Sequence, residues 1–146
     1  MSATTRPALD AATLNNITIS VMDLDRAIDW YERVMCFSLT RRGTFPALEA
    51  SYAFMKRKDY ALELIQVPAA HRLPAIDADP PGHLGPTGFK ALVLDVDDLS
   101  AATAELIAHE VAIVWNQQLL DPETGLTSTL VRDPEGNLIN FFQHLP

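Results

Sequence analysis

A short list of side chains in this chain could carry chemistry. Glu63 stands between Leu62 and Leu64 in a stretch that reads as a strand. Successive strand side chains point to opposite faces, so its carboxylate lies across the sheet from both leucines. Burial among apolar neighbours penalises the charged form of a carboxylate. That would poise Glu63 near neutral pH for general acid or base work. His109 closes a helix and His144 lies near the C-terminus, and both read as exposed side chains. His71 and His83 fall in a proline-rich stretch and read as loop residues, unless that stretch folds over a cavity and brings one in as a ligand or acid–base group. The single cysteine, Cys36, excludes an intrachain disulfide. It has no histidine near it in sequence and reads as a buried or half-buried structural thiol. Lys56-Arg57-Lys58 reads as a solvated turn.

The elements that must position these groups follow from periodicity. Ile17, Ile19 and Val21 alternate with Asn16, Thr18 and Ser20, which predicts a strand over 14–21 with one apolar face. Asp23 then offers a helix N-cap, and Leu24, Ala27, Ile28, Tyr31 and Met35 recur at helical spacing, predicting a helix over 24–35. Strands are predicted near 37–42, 50–56 and 60–67, with the last two joined by a turn at Arg57-Lys58-Asp59. Five prolines and two glycines between 68 and 86 exclude regular structure from most of that segment. The first pattern then returns: a strand over 89–96, a cap at Asp98, and a helix with Leu99, Ala102, Thr103 and Leu106 on its inner stripe, ending near His109. Strands near 111–115, 126–132 and 137–143 complete it, separated by turns at 121–125 and 133–137.

The return is a repeat. Val21-Met22-Asp23-Leu24 aligns with Val96-Asp97-Asp98-Leu99 at an offset of 75 residues, which also places Ile17 on Leu92, Ile19 on Leu94 and Ala27 on Ala102. The chain is therefore an α+β protein of tandem βαβββ modules. Residues 1–12 form a loose arm, and 13–146 one domain: module one over 13–67, a linker over 68–86 and module two over 87–144. Its 146 residues suit one domain, and the 48% apolar content supports a real core. No apolar run approaches the roughly 20 residues needed to cross a bilayer, and the first dozen residues lack a secretory signal. A cytoplasmic protein is the expectation. The net charge of −8 disfavours nucleic acid and anionic membranes as partners.

Three groups of residues carry a resemblance. The first runs from Ile17 through Thr18, Ile19, Ser20, Val21, Met22, Asp23, Leu24, Asp25, Arg26 and Ala27 to Ile28; Trp30-Tyr31 and Leu62-Glu63-Leu64 follow it. The third is Val96-Asp97-Asp98-Leu99 with Asp133-Pro134-Glu135-Gly136-Asn137-Leu138-Ile139. In that order, and twice repeated, they resemble the vicinal oxygen chelate superfamily, also called the glyoxalase, bleomycin-resistance and dioxygenase superfamily, over residues 13–144. The resemblance implies modules whose curved mixed sheets surround a cavity, and a homodimer, in some members with exchanged modules. It also implies a divalent metal held by residues of the first and last strands. Those ligand positions fall on Asn16, Glu63, Ala91 and Asn140, so the carboxylate of Glu63 alone survives. Alternation independently turns Asn16 and Ala91 away from the helices, because Ile17 and Leu92 face them. Alanine cannot ligate, and an asparagine amide is a weak ligand for zinc, iron or nickel.

The expectation is therefore a protein without metal or other cofactor that binds a small organic molecule in the intermodule cavity. In one reading Glu63 is the acid or base of a lyase or isomerase, with Asn16 and Asn140 orienting a substrate carbonyl or an enolate-like oxygen. In another the three form a structural polar cluster. In a third the protein sequesters its ligand without chemistry, as bleomycin-resistance proteins do. A glyoxalase- or dioxygenase-type metalloenzyme with atypical ligands is the remaining alternative. Tyr52, Phe54, Trp115, Phe89 and Phe142 are on strands that could line the cavity and are candidate binding residues, the last two above all because each stands two residues from an inward position.

Overall fold

The computed structural model describes residues 7–74 and 78–144. Half of the predicted arm, 1–6, and linker positions 75–77 lie outside the described residues; Ala8–Ala11 form a 3-10 turn with no buried side chain. Module one contains β1 (Ile17–Ser20), α1 (Leu24–Arg33), β2 (Ser38–Phe45), β3 (Ala50–Arg57) and β4 (Tyr60–Gln66); module two contains β5 (Ala91–Asp95), α2 (Leu99–Ala108), β6 (Ala112–Asp121), β7 (Leu126–Arg132) and β8 (Leu138–Gln143). Each module folds into its own four-stranded mixed sheet, ordered β1-β4-β3-β2 and β5-β8-β7-β6. Both helices pack on one face of their sheet. The α+β class and the tandem βαβββ modules are as the repeat requires.

Local chemistry sets the element ends. The carboxylates of Asp23 and Asp98 accept hydrogen bonds from Arg26 N and Ala101 N, so both predicted caps form. A second pair of caps accompanies them. Gln66 Oε1 accepts from Leu24 N at 2.7 Å, and Gln143 Oε1 from Leu99 N at 2.6 Å. Each glutamine ends the last strand of its module and satisfies an orphan amide of that module's helix. These caps escape the alignment because the two glutamines are 77 residues apart rather than 75.

Several boundaries differ from expectation: β5 is shorter than 89–96, and β2 runs to Phe45 rather than ending near 42. β1 is shorter than 14–21, and α1 stops at Arg33 with Val34 as its C-cap. β6 runs on to Asp121 rather than ending near 115. The polar stretch Asn116-Gln117-Gln118 lacks alternation, yet it pairs with β7 through irregular register, with Gln117 at φ 49° and its N–H given to Thr129 Oγ1. Cys36 is also exposed rather than buried. It occupies the left-handed position beyond α1, at φ 57°, and the next residue, Phe37, turns inward instead.

The core is continuous across the modules. Leu24, Ala27, Ile28 and Tyr31 of α1 pack with Met55, Leu62 and Leu64 beneath them, and the same cluster includes Leu99, Leu106, Val131, Ile139 and Phe141 of module two. Polar contacts cross the same junction. Tyr31 donates from its hydroxyl to Asp133 Oδ2 at 2.8 Å, and Glu135 Oε1 accepts from Met22 N at 3.0 Å and Asp23 N at 3.3 Å. The modules of one chain therefore meet through α1 and the 133–137 turn. β1 and β5 remain at the outer edges of separate sheets.

Candidate functional site

Register decides what shares a face with Glu63. Leu62 and Leu64 are fully buried on the helix side of β4, which leaves Glu63, only half-buried, on the other side. Parallel pairing sets Thr18 beside Glu63, and antiparallel pairing sets Phe54 on its other flank. Thr18 Oγ1 donates to Glu63 Oε2 at 2.7 Å, and Asn16 Nδ2 reaches the same oxygen at 3.4 Å and Thr18 Oγ1 at 3.1 Å. Glu63 Oε1 accepts no hydrogen bond among the described residues. One carboxylate oxygen is thus fixed and the other is open. Thr18 joins the expected pair of Glu63 and Asn16, and its place on the polar face of β1 is the one signal of this in the alternation.

The rest of that face is aromatic. Tyr52 is buried, with Phe45 stacked on it at 4.2 Å between centroids and Phe54 edge-on at 5.3 Å. Gly43 lies across from Tyr52, and a β-carbon there would come within 2.8 Å of the phenol oxygen. The missing side chain at 43 is what lets the ring lie over the strand.

Module two presents a matching face. Leu92 and Leu94 pack toward the core, so Ala91 and Val93 of β5 turn the other way. Val93 pairs with Asn140, Asp95 with Phe142, and Leu130 with both Asn140 and Trp115. Trp115 Nε1 donates to Ser128 Oγ at 2.9 Å. Asn140 Oδ1 is buried without a hydrogen-bond partner among the described residues. Phe89 precedes β5 and is fully exposed. His71 is exposed, and its Nδ1 lies 3.0 Å from the Ala69 carbonyl oxygen. His83 sits in a short 3-10 turn, where desolvation, and then the charges of Lys90 and Arg132, lower its pKa.

The chain therefore brings Asn16, Thr18, Glu63, Phe54 and Tyr52 together on one sheet, and Ala91, Asn140, Phe142 and Trp115 on the other. No hydrogen bond joins the two sets among the described residues. A cavity of about 440 Å³ is bounded instead by Met22–Asp25, Arg42, Glu49 and the end of β4, and one of about 340 Å³ opens between α2, the Val34–Cys36 segment that follows α1, and Arg57-Lys58. The burial that the sequence reading assigned to Glu63 is not supplied by its own sheet.

The donor set does not fit a transition metal. Ala91 offers no ligand atom, and Glu63 Oε2 already accepts from a hydroxyl and an amide N–H. Among the described residues no three of His, Cys, Asp and Glu converge as a metal centre would require.

The fold is that of one superfamily. Residues 13–141 match the Glyoxalase/Bleomycin resistance protein/Dioxygenase superfamily, and the chain belongs to it. A lactoylglutathione lyase of Pseudomonas putida is 25% identical over 164 residues, covering 100% of this chain and 93% of the lyase. A glyoxalase family protein from Enterococcus faecalis superposes with a TM-score of 0.75 at 16% identity, covering 92% of this chain and 99% of that one. The trypanothione-dependent glyoxalase I of Leishmania major gives 0.68 at 20% identity, over 91% and 87% of the two chains. The likeness to the two solved structures is one of fold. Among the described residues no helix is long and apolar enough to cross a membrane.

Proposed function

We propose that this protein binds a small organic carbonyl compound without a metal and moves a proton on it with Glu63, as a lyase or isomerase. The observation that carries the reading is the asymmetric anchoring of Glu63. Thr18 and Asn16 hold Oε2, while Oε1 is open on a face lined by Phe54. A carboxylate so oriented is ready to take a proton from a carbon next to a carbonyl. Asn16 is already engaged by Thr18 and Glu63, so Asn140 is the remaining amide for the carbonyl oxygen. The lyase relative supports the reaction class, and the lost ligand positions support a route that dispenses with the metal.

The reading includes a homodimer. Among the described residues the outer edges of β1 and β5 are unpaired, and Ile17 and Val93 beside them are 40% and 48% exposed. A second copy that sets its β5 edge beside β1 would cover both residues. It would also bring the Asn140 face of one protomer opposite the Glu63 face of its partner and exclude water from the carboxylate. The modules would then be exchanged between protomers in their use of the site. The net charge of −8 fits a cytoplasmic protein that avoids nucleic acid and anionic membranes.

The aromatic face also suits a second reading, sequestration without turnover. Deuterium uptake separates the two. A panel of small ketones and keto acids is incubated with the protein in D2O and followed by proton NMR. The expected result is exchange next to the carbonyl, slowed 10²–10⁴-fold or so by Glu63→Gln with binding retained. Binding without any exchange would leave sequestration standing. Val93→Arg should yield a folded monomer by sedimentation and circular dichroism, and a dimer unaffected by it would overturn the proposed edge contact.

A further inference from the structure

The row of residues running across sheet one through Glu63 indicates what kind of molecule it would accept. Its pairings are Arg41 to Phe54, Phe54 to Glu63, and Glu63 to Thr18. Strands are spaced about 4.8 Å apart, so Arg41 and Glu63 are anchored about 10 Å apart with a phenyl ring between them.

Arg41 faces this row because β2 is irregular. Leu39 pairs with Met55, but Arg41, not Thr40, pairs with Phe54, so the strand carries one extra residue. Thr40 gives its hydroxyl to the Phe54 carbonyl at 3.1 Å. Without the bulge Arg41 would fall on the same face as Leu39, toward α1. With it, Arg41 turns to the Glu63 face and Arg42 takes the helix side, where it meets Asp25 at 2.6 Å. Bulges are common beside active sites, where they re-aim a side chain.

The two arginines are consequently unlike. Arg42 has a carboxylate partner. Arg41 has none among the described residues, and its guanidinium lies over the Tyr52 ring, 6.0 Å from the centroid. The ring is itself held by Phe45 and fitted over Gly43. Stacking of this kind orients a guanidinium and leaves its N–H groups free for a planar anion.

We propose that Arg41 is a specificity-determining residue and that the ligand is a flat, apolar organic acid. Its carboxylate pairs with Arg41, its planar body lies on Phe54, and its reacting carbon sits over Glu63. This rests on the proposed use of the Glu63 face and names the substrate class for it. Arg41 is the one cation among the four residues of the row, so it matches a single carboxylate, and the overall charge of −8 disfavours a polyanion.

The test uses the full chain and a panel of one- and two-ring aryl carboxylates, each paired with its neutral primary amide. Binding is measured by calorimetry and mapped by backbone NMR. The expected result is that acids bind with shifts at Phe54 and Glu63 and that the matched amides bind about tenfold or more weakly. Arg41→Gln should remove that preference, Arg41→Lys should keep part of it, and Arg42→Gln should leave it intact. Acid and amide binding equally at Glu63, or a preference that survives Arg41→Gln, would overturn the role of Arg41 while leaving the Glu63 site in place. No member perturbing Thr18, Phe54 or Glu63 would overturn both.

Discussion

Tyr31 and Asp133 are 102 residues apart in sequence and joined by a buried hydrogen bond of 2.8 Å. Asp133 also organises its own turn. Its Oδ1 accepts from Glu135 N and Asn137 N, and its Oδ2 takes Asn137 Nδ2 along with the Tyr31 hydroxyl. A turn that reads in sequence only as a hairpin connection is therefore also the clasp that fixes module two against α1. Because that clasp occupies the helix side of both modules, the opposite sheet faces are left open.

The clasp gives a pH dependence with a defined sign. Burial, then the charge and hydrogen bond of Asp133, push the Tyr31 phenol well above its ordinary value. Above pH 10 or so the unfolded chain releases this proton and the folded chain keeps it, so unfolding releases a proton and stability falls as pH rises. The expected slope is up to about 1.4 kcal/mol per pH unit from this group. Tyr31→Phe should lower stability near pH 7 by about 1–3 kcal/mol and remove this contribution to the alkaline slope. Urea unfolding at several pH values measures both effects.

Glu135 tests the other half of the clasp. It is buried and accepts from two backbone amides at the start of α1, where a negative charge also complements the helix dipole. Glu135→Ala leaves those amides without their acceptor and should cost about 1–3 kcal/mol. Glu135→Gln keeps an oxygen in place and should cost less. Equal losses in the two variants, by thermal or urea denaturation, would show that packing rather than the acceptor matters.

Thr18 is a positioning residue for Glu63 rather than a catalytic one. Thr18→Val keeps the volume and the strand preference but removes the 2.7 Å donor to Oε2. Deuterium exchange on a bound ketone should slow by about tenfold, with ligand affinity changed little and with Thr18→Ser restoring most of the rate. A parallel fall in affinity and rate would instead make Thr18 part of the binding surface.

Much of the fold was legible because it is written at short range. The order Leu62-Glu63-Leu64 settles which side of β4 is buried, and both leucines are fully buried with Glu63 opposite. The capping aspartates and the inner stripe of α1 follow from spacing within one or two turns. Cys36 was misplaced because its exposure depends on a left-handed φ beyond the helix, which residue type does not announce. The length of β6 was missed because its polar half is held by irregular pairing to β7 rather than by its own pattern.

What the sequence alone determined is the repeated module and the faces of its strands, with Asn16, Glu63, Ala91 and Asn140 at the positions where the resemblance implies metal ligands. What only the tertiary structure decided is which residues meet. Thr18 joins Glu63 through parallel register, Arg41 is brought to their row by a bulge at Thr40, and Tyr31 finds Asp133 across the module junction. The division has a physical reason. Periodicity follows from backbone geometry within a few residues, whereas register, bulges and docking depend on how distant segments satisfy one another's hydrogen bonds.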